Sequence, residues 1–212
     1  MYNTKEAITQ SSNESKYLSA GIHDNVMLSS IRIDKSPTGN SFLEIGFTKD
    51  NQEVLHTEWE PKAFPNQTSN TVKDSINVNS LYDFDRACNR QLSRLLQIIG
   101  CYYKEDELDF TCNTFDELTK WVKDKLQPVI DNTVTNVPVR LKVVFNKRGF
   151  TTLPSYAKYT FIEPMSVTES KIEKLNIDLY ERPIQADKEP VSATATTTDT
   201  VATSTSADKL PF

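Results

Sequence analysis

Apolar and polar residues alternate with two different periods along this chain, and the changes of period divide it. Residues 41–49 alternate strictly: Leu43, Ile45 and Phe47 fall on one face, while Phe42, Glu44, Gly46 and Thr48 fall on the other. A period of two belongs to a strand with one face in a core. Residues 17–34 supply Val26, Leu28, Ile31 and Ile33, a β-favouring run long enough to bend, with Gly21 as the place for a bend or bulge. Turn chemistry in residues 35–40 joins these two runs. Asp50-Asn51-Gln52 then sends the chain back along residues 53–60 by way of Leu55, Thr57 and Trp59. The expectation is a meander of three antiparallel strands.

Past Pro61 the pattern fades, and residues 62–79 read as a long polar loop, a feature often tied to function. From Ser80 the spacing turns helical. Leu81, Phe84, Cys88, Leu92, Leu95 and Ile99 recur at three and four residues as one apolar stripe, with Ser80 placed to cap its start and Gly100 to stop it. A second helix opens at Thr114, whose capping box is completed by Glu117, continues through Phe115, Leu118, Val122 and Leu126, and is limited by Pro128. Alternation then returns twice. In residues 139–148, Val139, Leu141, Val143 and Phe145 oppose Arg140, Lys142, Val144 and Asn146. In residues 156–163, Ala157, Tyr159 and Phe161 oppose Tyr156, Lys158 and Thr160, and residues 149–155 connect the two runs. A short helix about residues 169–175 and an extended exit through Pro183 complete the body.

The order is three strands, a helical insertion at about residues 80–130, two strands and a tail. That is the chain order of the OB-fold, a five-stranded, partly open Greek-key barrel, so the expected class is β-rich α+β; other α+β arrangements share the order. On this reading residues 1–16 are a flexible N-terminal arm, 17–182 the barrel domain and 183–212 a disordered interaction tail. Of the sixteen residues from Ser192 to Ala207, fourteen are Ser, Thr or Ala, too little apolar surface to offset the entropy of ordering. Yet the chain ends in Leu210-Pro211-Phe212, with Asp208 close by, a hydrophobic and carboxylate-bearing tip suited to being held by a partner.

Composition narrows the classes. At 212 residues, 37% hydrophobic and 25% charged, the chain suits one domain with appendages. No apolar run approaches the ~20 residues that span a bilayer. Residues 1–16 hold no signal-peptide core, so a cytoplasmic protein is expected. Cys88, Cys101 and Cys112 lack CxxC spacing and read as reduced thiols. The net charge of −5 argues against a uniformly basic nucleic-acid binder. Its distribution argues otherwise. Residues 133–162 contain no acid, and there Arg140, Lys142, Lys147, Arg148 and Lys158 are interleaved with Phe145, Phe150, Tyr156, Tyr159 and Phe161.

Single-stranded nucleic acid needs cations along its phosphates and flat rings under its unstacked bases. The candidate set is Arg140, Lys142, Lys147, Arg148, Tyr156 and Lys158, together with Phe42, which points away from the core-facing parity, and Trp59 at the end of the third strand. Blander readings stand beside these. Arg140 and Lys142 also suit a solvated sheet face, Trp59 shares parity with Leu55 and suits a core, and Phe42 would pack under the helices. Arg86, Arg90 and Arg94 share a helix side, as an extended phosphate track or as a solvated face paired to acids. His23 and His56 have no metal-ligand spacing with the cysteines, no glycine-rich phosphate loop occurs, and no catalytic constellation is evident. Neither metal, cofactor nor enzymatic activity is expected.

Body and tip together resemble single-stranded DNA-binding proteins of the bacterial and phage type, which join an OB-fold to a disordered tail ending in acids and Ile-Pro-Phe or Leu-Pro-Phe. The matching positions are Asp208, Leu210, Pro211 and Phe212; Lys209 stands where the family has an acid. The resemblance implies sequence-nonspecific binding of single-stranded DNA in replication, recombination or repair, in host cytoplasm if phage-encoded, with the tip recruiting replication or recombination proteins. A homo-oligomer is compatible with it. The alternative is a phage structural or protein-interaction module that uses an OB-like barrel without nucleic acid.

Overall fold

The computed structural model describes residues 16–62 and 84–183. The expected arm before them, residues 63–83 with most of the expected loop, the candidate cap Ser80 and the stripe residue Leu81, and the expected tail after them with Asp208, Leu210, Pro211 and Phe212 lie outside the described residues. The strict alternation of residues 41–49 becomes β2 (Ser41–Lys49), whose Leu43, Ile45 and Phe47 are fully buried. It pairs with β1 (Gly21–Lys35) on one side and β3 (Gln52–Trp59) on the other, both antiparallel. After α1 (Phe84–Ile99) and α2 (Phe115–Ile130) come β4 (Val139–Phe145), β5 (Thr151–Thr152) and β6 (Ile162–Pro164). Among the described residues these form one open antiparallel sheet of six strands in the order β3-β2-β1-β4-β5, with β6 on β4.

β1 holds the sheet together because it serves two partners. Its first residues pair with β4 and its later ones, from Met27, with β2. The bend was expected at Gly21, but Gly21 sits in register opposite Val143. The irregularity comes instead around Asn25, at a φ of 59°, a left-handed conformation that Asn tolerates better than most residues. The far edges of the sheet approach through side chains: His56 Nδ1 on β3 lies 3.2 Å from Thr152 Oγ1 on β5.

Both helices form where their apolar spacing places them. Thr114 Oγ1 accepts from the Glu117 amide at 3.2 Å, and the Glu117 carboxylate accepts from the Thr114 amide at 3.3 Å, the reciprocal box that the sequence announces. Pro128 sits inside the last turn, and the helix continues to Ile130. α2 lies on β1, and its Leu118, Val122, Leu126 and Val129 join Leu95, Ile98 and Ile99 of α1 in the core.

The C-terminal third departs from the pattern. Residues 149–155, expected as a connection, contain β5. Residues 156–161 are irregular, and only Ile162–Pro164 pairs with β4. No helix forms at residues 169–175. That segment belongs to an irregular strap lying across the outer face of β4, where the Phe145 amide donates to Leu179 O at 2.8 Å and the Lys171 amide to Glu163 Oε2 at 3.0 Å. β4 is therefore covered on both faces, and Lys142, expected in solvent, is 0% exposed. Its ammonium donates to Tyr156 Oη at 2.8 Å, to Asp178 Oδ2 at 2.9 Å and to Glu173 O. Burial alone would raise the Asp178 pKa. The Leu175 amide and then the Lys142 ammonium outweigh it, so the carboxyl is held below its ordinary value.

Removing one partner of a buried ion pair strands the other charge. Lys142→Met is expected to lose about 3–5 kcal/mol of stability, read by urea denaturation. The double variant Lys142→Met/Asp178→Asn should lose clearly less than the sum of the two single losses. Additive losses would show that the pair is not what fastens the strap.

Candidate nucleic-acid interface

The turn after β4 is built by one side chain. Asn146 Oδ1 accepts from the Arg148 and Phe150 amides at 2.9 and 3.1 Å, and Gly149 takes the left-handed φ of 78° that closes the turn. This geometry leaves Lys147 and Arg148 in solvent and turns Phe150 outward, 66% exposed. At the end of β3 Trp59 is 50% exposed. Between these rings runs a groove of about 670 Å³ lined also by Tyr17, Phe145, His56 and Thr152. Tyr17 is held at its mouth because residues 16–18 run parallel to β3, with the Leu18 amide donating to Glu53 O at 2.8 Å.

A second groove, about 630 Å³, gathers Arg86, Arg90, Lys147 and Lys158 around Tyr156. Both grooves are lined by Phe145, Asn146 and Ser155, so an aromatic half adjoins a basic half along those residues. Arg90, Lys147 and Lys158 meet no carboxylate among the described residues. Lys158 Nζ lies 5.4 Å from the centre of the Tyr159 ring.

Of the residues singled out from the sequence, Lys147, Tyr156 and Lys158 line the basic groove and Trp59 the aromatic one; the other candidates line neither as a free ligand group. Arg148 is exposed on the same turn as Lys147 but lines neither groove. Phe42 is not an exposed platform. At 9% exposure it is the cross-strand partner of Trp59, ring centres 5.0 Å apart, with the Arg32 guanidinium 5.3 Å from its own ring centre. It backs the tryptophan. Arg140 is engaged by Asp24 at 2.6 Å and Glu163 at 2.8 Å, and Lys142 is sealed under the strap. Neither has a charge to spare for a phosphate.

The chain matches no family model, no curated protein and no solved structure. The chemistry of the grooves rests on their own side chains.

Beneath the grooves lies a buried carboxylate. Glu58 Oε1 accepts from His56 Nε2 at 2.9 Å and Arg94 Nε at 2.7 Å; Oε2 accepts from Arg94 Nη2 at 2.6 Å and Gln91 Nε2 at 3.1 Å. Burial pushes its pKa upward, but hydrogen bonds and charge from His56 and Arg94 prevail and lower it to about 2. Arg94 also donates to Ser155 O at 2.8 Å, and Gln91 to Trp59 O at 3.0 Å. The cluster fastens α1 to β3 and to the loop shared by both grooves. Arg90 and Arg86 lie one and two turns before Arg94, so the helix rotation that buries Arg94 presents them to the basic half. The same cluster inverts β3: Val54, His56 and Glu58 face inward, while Leu55, Thr57 and Trp59 face the groove.

Tyr17 was not noted from the sequence, and Phe150, though counted in the acid-free window, was not among the candidates, because nothing local distinguishes an exposed ring from a buried one. The arginine stripe was visible and needed the Glu58 pairing to orient it. Among the described residues no cluster of His, Cys, Asp and Glu could hold a metal, and no helix is long and apolar enough to cross a membrane. The three cysteines are free thiols, and burial pushes Cys101 up to about 12.

A carboxyl whose folded pKa is lowered contributes stability that is complete above its ordinary value near 4.5 and lost as pH falls through about 2. Glu58→Gln is therefore expected to be less stable than the parent at neutral pH, with the gap closing between those two values. Urea melts at stepped pH measure it. A gap independent of pH would rule out an ionised, stabilising Glu58.

Proposed function

We propose that this protein binds single-stranded DNA without sequence preference, with bases in the aromatic half of the two adjoining grooves and phosphates in the basic half. The observation that carries the reading is the junction of two unlike surfaces. Half-exposed Trp59 and more exposed Phe150 line one side, and Arg86, Arg90, Lys147 and Lys158 line the other. Rings accept any base face, and cations follow a backbone that carries no sequence, so such a groove suits binding without base readout. Duplex DNA keeps its bases stacked and would leave the aromatic half unused.

The sheet supports a finer fold reading. β1 bridges β2 and β4, β3 follows β2, and His56 and Thr152 bring β3 near β5. That is the neighbour relation of a small OB-type barrel, whose ligand groove runs across strands and hairpin turns as this one does. In the same reading the tip residues Asp208, Leu210, Pro211 and Phe212 recruit replication or recombination proteins, and the protein acts by holding strands open, with no catalysis of its own. Aromatic burial of Phe212, with Pro211 limiting the entropy lost on docking, would supply the contact.

Titration of fluorophore-labelled oligo-dT, followed by anisotropy, tests the groove. Trp59→Ala and Phe150→Ala should each weaken binding roughly five- to 150-fold, the range of about 1–3 kcal/mol per stacked base. Arg140→Gln should leave affinity nearly unchanged, since that guanidinium is already engaged. With four cations on phosphates, log K should fall with log salt at a slope of about −3. Equal affinity for duplex and single strand at low salt, or indifference to both aromatic substitutions, would overturn the reading.

A further inference from the structure

We infer that Arg182, on the strap after β6, is a phosphate-binding residue at the seam of the two halves; this rests on the single-strand reading above. Arg182 lies far in sequence from the acid-free basic window and was marked by no pattern. The fold carries it back. The strap is fixed at Asp178 by Lys142 and at Leu179 by the Phe145 amide, so only a few residues separate Arg182 from two anchors. It lines the aromatic half, while Ile177, Asp178 and Leu179 earlier on the strap line the basic half, Asp178 with its charge met by Lys142. The strap therefore crosses the groove at the point where the halves meet.

Two contacts aim the guanidinium. Its Cζ lies 5.8 Å from the centre of the Phe145 ring, which lines both halves. A Cβ built on Gly149 would stand 3.2 Å from Arg182 Cγ, so the bare glycine of the turn leaves room for the aliphatic stem. A guanidinium resting on a ring keeps its N–H edges for a second partner. Among the described residues no carboxylate takes them. The surrounding chemistry supplies rings for bases on one side and cations for phosphates on the other, and a strand passing between them must carry a phosphate across the seam. Arg182 is the forked donor placed there, a match for two phosphate oxygens.

The test compares the full chain with Arg182→Gln and Arg182→Lys, using oligo-dT titration across a salt series and a thermal melt of each variant. Arg182→Gln should melt like the parent, bind roughly tenfold more weakly at low salt, and lose about 0.7 from the magnitude of the salt slope, the share of one single-strand phosphate. Arg182→Lys should recover the slope. Parent binding with an unchanged affinity and slope in Arg182→Gln would overturn this inference and leave the groove standing. Weaker binding with an unchanged slope would also overturn it, assigning Arg182 to shape alone. Absence of binding by the parent would instead sink the single-strand reading itself.

Discussion

The buried Glu58 carboxylate is the constraint on which the architecture around the groove depends. An ionised carboxyl in a protein interior is tolerated only when its oxygens are fully hydrogen-bonded, and here four donors from His56, Gln91 and Arg94 meet that demand. Satisfying it fixes three things together. β3 must turn its His56/Glu58 face inward, which puts Trp59 outward. α1 must rotate Arg94 inward, which aims Arg90 and Arg86 along the groove. The loop at Ser155 must come close enough to receive Arg94, which closes the seam between the halves. Hydrophobic burial holds the sheet and helices together, but non-directional burial alone would accept several rotations of α1. The ion pair selects one.

A second buried pair does for the C-terminal strap what Glu58 does for the helix. The strap has little regular structure and buries few apolar residues, Ile172 among them. Lys142 and Asp178 supply the missing fixation, with Tyr156 and Tyr180 hydroxyls donating to Asp178 at 2.9 and 3.2 Å. Burial, followed by the neighbouring Asp178 carboxylate, pushes the Tyr180 pKa up to about 12, so the phenol stays a donor across the physiological range. Two strongly basic residues of β4 are consumed in structure this way, and the cations left to meet a ligand stand on a turn, a loop, a helix and the strap.

What was legible in the sequence was whatever local pattern alone determines. The parity of Leu43, Ile45 and Phe47 and the Thr114/Glu117 box depend on neighbours a few residues away, and both were found where expected. β3, Phe42 and Lys142 were misread for a common reason. Alternation assigns one parity to solvent, whereas a residue of that parity goes inside when a partner outside its own strand covers it, a polar one by hydrogen bonds and an apolar ring by another ring. His56 and Glu58 have Arg94, Lys142 has Asp178, and Phe42 has Trp59 beside it on the next strand. None of those partners can be deduced from spacing. The acid-free window nevertheless supplies Lys147, Tyr156 and Lys158 to the basic groove, because charge segregation survives even when individual cations are diverted.

That diversion bears on the binding proposed for the groove. A cation fixed in a buried network cannot shift toward a phosphate, and removing it disturbs the fold before it disturbs binding. Lys147 and Lys158, by contrast, are exposed on irregular segments, free to follow a backbone whose phosphate spacing varies with each step. The rings differ again: Trp59 is backed by Phe42 and held at its strand end by the Gln91 bond to its carbonyl, so a base would meet a surface already ordered. A ring ordered in advance lowers the entropy lost on stacking, and exposed cations on long side chains can reach phosphates at varied spacing. A ligand whose bases are all alike to an aromatic face, and whose backbone is flexible, is the one for which that division of stiffness is suited.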